Sequence, residues 1–142
     1  MPSELPLHSV SVTGVVVRGD GRVLAIKRAD DGRWVPPGGV LELDESPEAG
    51  VAREVFEETG VRAEAEVLTG VYKNMARGVV TLAFRCRPVG GTGRATEEAS
   101  EVAWLTLDEV GARMVEARAV RVLDALRAGG PFVRVHDGTR VR

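Results

Sequence analysis

The spacing of apolar positions changes several times along the chain, and each change marks an element. Residues 8–17 form a β-branched, apolar-rich run that reads as a strand, and Gly19-Asp20-Gly21 supplies a turn into a second strand over residues 22–27. Together they predict a hairpin. Residues 29–32 are a polar loop, and residues 33–35 are short and extended before Pro36 and Pro37. A helix is predicted over residues 47–59, since Ser46 can cap free amides, Pro47 suits the first helical position and Gly60 offers a stop. In residues 61–71, Val61, Ala63, Ala65 and Val67 alternate with polar positions, as in a half-buried strand, and residues 79–86 form a stronger one. The glycine-rich stretch 90–96 reads as mobile, residues 102–106 as a short strand and residues 107–110 as the start of a small helix. Over residues 115–126, Val115, Ala119, Val122 and Leu123 recur at helical spacing, with Arg118, Arg121 and Arg127 on what reads as a solvated face. Past Gly129-Gly130, residues 132–135 could add an edge strand or stay loose.

Strands interrupted by one central helix and closed by a late one predict an α/β fold, a mixed β-sheet with helices on both faces. A chain of 142 residues is the length of one domain, with a core over about residues 8–128 and a short tail at 129–142. Its 44% hydrophobic and 28% charged residues are a globular composition, and a net charge of -2 argues against coating polymeric nucleic acid. Lys27 and Lys73 are the only lysines among 19 basic residues, a bias toward arginine that could serve bidentate phosphate contacts or follow genomic base composition. Cys86 is the one cysteine and sits in an apolar run, so it is expected in the core, with no internal disulfide or cysteine cluster. No membrane segment and no leader pattern stands out, which makes a cytoplasmic protein the default.

The chemistry concentrates on the central helix. At about 100° per residue, Glu54, Glu57 and Glu58 share one face, where like charges repel and cost a few tenths of a kcal/mol per pair. A hard dication would reverse that sign, and magnesium prefers oxygen ligands completed by waters and phosphates. The segment Trp34-Val35-Pro36-Pro37-Gly38-Gly39 leads into the helix, and its two glycines allow backbone to approach a metal or phosphate closely.

These residues spell Gly39-x5-Glu45-x7-Arg53-Glu54-Val55-Phe56-Glu57-Glu58-Thr59-Gly60-Val61, which resembles the Nudix box of the Nudix hydrolases at every defining position. Outside the box the resemblance is looser, in the order of elements and in Trp104. One departure is Gly50-Val51, where relatives often carry two alanines, which puts helix stability in question. The resemblance implies an α/β/α sandwich and a Mg²⁺-dependent hydrolase, with Mn²⁺ able to substitute. It would cut the diphosphate linkage of a nucleoside diphosphate bonded to another group, such as a nucleoside triphosphate or ADP-ribose. It also implies roles: Glu54, Glu57, Glu58 and the Gly38 carbonyl as metal ligands, Arg53 holding the carboxylates, and Glu45 as the partner of that arginine. The general base stays open among Glu57, Glu58 and a loop acid, Glu97, Glu98 or Glu101.

Substrate contacts are sought in Trp34, Gly39, Tyr72, Asn74, Arg77 and Glu98, although Trp34 could equally be core and residues 72–77 a polar turn. His8 and His136 lack the spacing of zinc ligands. The partner implied is a small nucleotide, and the apolar face of the first strand or last helix could support the homodimer common among Nudix proteins. The alternative reading is a non-catalytic nucleotide sensor that kept the fold; its usual sign is loss of box acids, and none is lost here.

Overall fold

In a computed structural model describing residues 4–142, burial on both faces decides how the strands pair. Strand β1 (Ser9–Val16) is buried throughout from Val12 to Val16, and β2 (Val23–Arg28) from Val23 to Ile26. Next come β3 (Trp34–Val35), β4 (Gly38–Val40), helix α1 (Pro47–Thr59), β5 (Val61–Asn74), β6 (Val79–Gly91) and β7 (Ala99–Leu105). Helices α2 (Leu107–Arg113) and α3 (Glu116–Ala125) and strand β8 (Phe132–His136) complete the order. One sheet runs β4-β1-β6-β5-β8, with β1–β6 and β5–β8 parallel, and a second, antiparallel sheet runs β3-β2-β7.

The predicted hairpin of the first two strands does not form. Both edges of β1 are taken, by β4 and by β6, so after the turn at Asp20 the chain crosses to the other sheet and keeps one bridge, Val17 to Val23. The turn residues specified a reversal of direction and not a partner. Two further expectations shift. Bulges in β5, one of them between Ala65 and Val67, rotate the strand so that Val67 is 43% exposed instead of facing inward with Ala63. The stretch 90–96 begins inside β6, and its remainder is tied to the end of α1 by Arg94 N–H to the Thr59 carbonyl and Thr96 Oγ1 to the Glu58 carbonyl.

Alternate residues of β1 feed two cores. Val12 and Val16 join Val51 and Val55 of α1, while Val15 joins Val110 of α2 and Val122 of α3 on the opposite side. This gives the α/β/α sandwich and places Cys86 in the core as anticipated. The edge strand allowed for in the tail is present as β8 on β5. No described helix is long and apolar enough to cross a membrane.

Candidate active site

Helix α1 starts where Ser46 Oγ accepts from the Ala49 amide at 3.2 Å and ends at Gly60, whose φ of 77° suits glycine. Val51 and Val55, four residues apart, fasten one face to the sheets. Glu58 lies three residues beyond Val55 and so turns toward the same side. It is only 8% exposed, and its carboxyl accepts the Gly38 amide at 2.8 Å. Burial lifts its pKa to about 8 against that hydrogen bond, and the charges of Glu54 and Glu98 add to the rise. Glu54 is raised in the same direction by burial, with Arg53 opposing.

Arg53 organises the rest. Its Nε donates to Glu45 at 2.9 Å, Nη2 to the other Glu45 oxygen at 2.5 Å, and Nη1 to Glu54 at 2.8 Å and Glu57 at 3.3 Å. Glu45 also accepts the Glu42 amide, and the Arg53 guanidinium followed by that amide holds its carboxyl down to about 2. Gly50 sits beneath this group. A Cβ there would lie 2.5 Å from Leu41 Cδ1 and 2.9 Å from Glu45 Oε1, which gives the Gly50-Val51 departure a local reason. Gly38 is fixed by contact with backbone, whereas Gly39 meets only the end of a side chain. A Cβ on Gly38 would stand 2.3 Å from the Val12 carbonyl oxygen, and one on Gly39 would stand 2.5 Å from the Glu54 carboxylate.

Glu54, Glu57 and Glu58 face Gly38 and Gly39 across a cavity of about 670 Å³, with Glu97 and Glu98 on the same wall. Glu98 is positioned by its carbonyl, which accepts the Ala29 amide at 2.9 Å, and it is within hydrogen-bonding reach of Glu58. Glu101 points elsewhere and pairs with Lys27 at 3.4 Å. As they sit, no three acidic, histidine or cysteine side chains among the described residues close around one point. Arg53 draws Glu54 and Glu57 toward itself while Glu58 leans on Gly38, so the carboxylates satisfy themselves separately. Glu57 is mostly exposed and free to turn. The donors are oxygens, the set a hard dication takes.

A second cavity, of about 470 Å³, adjoins the first and shares Gly38, Gly39 and Glu58 with it. Trp34, Asn74 and Arg77 line it, and Asn74 Oδ1 accepts the Ala76 and Arg77 amides to shape the turn. Tyr72 is placed otherwise: it is fully buried, and its hydroxyl donates to Asp124 at 2.8 Å in the packing of β5 against α3. This removes it from the cavity wall that the residue 72–77 segment suggested.

The arginine face of α3 also departs from expectation. Arg121 is 4% exposed and Arg118 half-buried, and both line the second cavity with His136. Burial, with Arg118 nearby, lowers Arg121 to about 9. The helical wheel carried this signal, because Arg121 lies four residues from both Ala117 and Ala125 and therefore inside the apolar stripe. Arg28 and Arg33, on the same wall, carried no sequence signal.

The NUDIX domain model matches residues 7–126 of this chain. A MutT-like protein of Streptomyces ambofaciens is 66% identical over 133 residues, covering 94% of this chain and 86% of that protein. An ADP-ribose pyrophosphatase of Methanocaldococcus jannaschii is 33% identical over 114 residues, 75% of this chain and 67% of that protein. Among solved structures, a NUDIX hydrolase from Nitrosomonas europaea superposes with a TM-score of 0.79 at 23% identity, over 94% of this chain and 82% of that one.

Proposed function

This chain belongs to the Nudix family and is a pyrophosphohydrolase of that type, and on this footing we propose that it cleaves the diphosphate linkage of a nucleotide with the help of Mg²⁺. The observation that carries the reading is that Glu54, Glu57 and Glu58 line one open cavity together with the Gly38-Gly39 turn. Bound there by these carboxylates and the Gly38 carbonyl, Mg²⁺ or Mn²⁺ would neutralise the diphosphate and make a water more acidic. The protein's own residues do the remaining work. Arg53, backed by Glu45, holds Glu54 beside the cavity, and the exposed Glu57 can turn from Arg53 toward a bound cation. Glu98, beside Glu58 and fixed through its own backbone, is the loop acid best placed to take a proton from the attacking water.

The substrate is a small nucleotide. ADP-ribose is one candidate, supported by the Methanocaldococcus relative, and nucleoside triphosphates are another. A panel of nucleotides incubated with Mg²⁺, its products identified by mass, tests the reading. We expect release of nucleoside monophosphate or phosphate, falling by at least about a hundredfold in Glu57→Gln, the size of effect typical when a group stabilising the transition state is removed. Turnover in Glu57→Gln equal to wild type would eliminate the proposed metal role.

A further inference from the structure

The second cavity is basic: Arg28, Arg33, Arg77, Arg118 and Arg121 line it against the carboxylates of Asp31, Glu58 and Asp137. Of these arginines, Arg33, Arg77, Arg118 and Arg121 form no ion pair with a carboxylate among the described residues. The acids on the same wall balance part of this charge, Asp31 lying 3.7 Å from Arg28 and attracting Arg118. Asp31 accepts the Arg33 amide, Asp137 accepts the Thr139 and Arg140 amides in its own turn, and Glu58 accepts from Gly38.

Arg121 is the sharpest case. It is 4% exposed, its Nη1 reaches only the neutral Thr13 hydroxyl at 3.2 Å, and its Nε has no partner. Its Nη2 lies 3.4 Å from His136 Nε2. The Gly138 amide donates to His136 Nδ1 at 2.9 Å, which assigns the proton of the neutral ring to Nε2. Two donors therefore face each other with no acceptor between them. A buried guanidinium so placed is costly unless an anion arrives. A base or ribose offers acceptors but no charge, whereas a phosphoryl group offers acceptor oxygens and charge together, in the bidentate geometry that arginine favours.

Because this cavity shares Gly38, Gly39 and Glu58 with the acidic one, a single molecule can occupy both. We propose that the basic cavity binds a phosphomonoester carried by the substrate apart from the diphosphate that is cut, with Arg118 and Arg121 as its principal contacts. The inference rests on the assignment of the acidic cavity to the scissile diphosphate. It narrows the substrate class to nucleotide diphosphates bearing a third, separate phosphoryl group.

Two measurements test it. In EDTA, inorganic phosphate titrated into wild type at constant ionic strength should raise Tm saturably, by roughly 3–5 °C at ten times its Kd. The rise should vanish in Arg121→Met and shrink in Arg118→Met, the latter carrying the test if the former does not fold. No rise in wild type, or the same rise in Arg118→Met, overturns the proposal. With Mg²⁺, kcat/KM is compared for ADP-ribose and for its forms monophosphorylated on either ribose. One phosphorylated form should be preferred by at least about tenfold, the effect of one charge-assisted contact, with the ratio narrowing in Arg118→Met. Equal kcat/KM for all three overturns it. Phosphate binding without hydrolysis of any nucleotide would instead defeat the functional assignment and leave the basic cavity standing.

Discussion

Two buried titratable side chains pull stability in opposite directions over the same pH range. His136 is held below its ordinary 6.5 by burial and by Arg121 and Arg118, so the unfolded chain takes up its proton first. Its contribution is fully present above pH 6.5 and is lost as pH falls through the lowered value. Glu58 is raised from 4.5 to about 8, so the folded state keeps a proton that the unfolded chain releases. Its contribution is complete below pH 4.5 and is lost as pH rises through about 8. The wild-type curve alone would mix the two, but variants separate them. Melting in EDTA between pH 5 and pH 8 should show His136→Gln losing less stability than wild type on the acid side, and Glu58→Gln losing less on the alkaline side. Curves parallel to wild type for both would mean that neither group titrates as its surroundings dictate.

At the scale of elements, strand β4 shows how tightly the acidic cavity is built into the sheet. Gly38 pairs with Thr13 of β1, and a methyl group on it would meet the backbone oxygen of Val12, which cannot move without breaking the ladder. Gly38→Ala should therefore cost about 3 kcal/mol in denaturant unfolding, the upper range for an overpacked site. Gly111→Ala, in α2 with open space around it, should instead stabilise by up to about 1 kcal/mol through helix propensity and a less flexible unfolded chain. A Gly38→Ala protein as stable as wild type would show that the contact relaxes freely. The same element marks what the sequence could and could not reveal. Helix α1 was legible to the residue because its caps and its acid spacing are local properties. The pairing of β1 with β4 and β6 was not, since period and turn chemistry do not encode which edges meet. Arg118 and Arg121 were misread for a related reason: charge was allowed to decide the outer face of α3, although Arg121 keeps the phase of Ala117 and Ala125. Tyr72 reads as part of a polar turn because the apolar alternation fades after Val71, whereas β5 continues through Asn74 and is paired there by β8.

Across the whole molecule, the C-terminal strand acts as a clasp. Asp124 of α3 has no exposed side-chain surface, and it accepts the Tyr72 hydroxyl of β5 at 2.8 Å and a forked pair of bonds from Arg134 of β8 at 2.6 and 2.8 Å. Three elements, one of them distant in sequence, thus meet on one carboxylate. Beyond β8 the Thr139 carbonyl accepts the Ala117 amide near the start of α3, and the strand delivers His136 to the basic cavity. Removing the cation while leaving the acid buried is the damaging change, because the stranded charge loses its compensation. Arg134→Met should cost about 2 kcal/mol, below the usual 3–5 for a broken buried pair, since Arg134 is partly exposed and Arg127 stays within 3.6 Å of the carboxylate. That corresponds to a fall in Tm of about 6 °C for a chain of this size. Adding Asp124→Asn removes the stranded charge while keeping an acceptor for Tyr72, so the double variant should recover most of the loss. The double variant melting below Arg134→Met would show that Asp124 is held by its neighbours independently of β8.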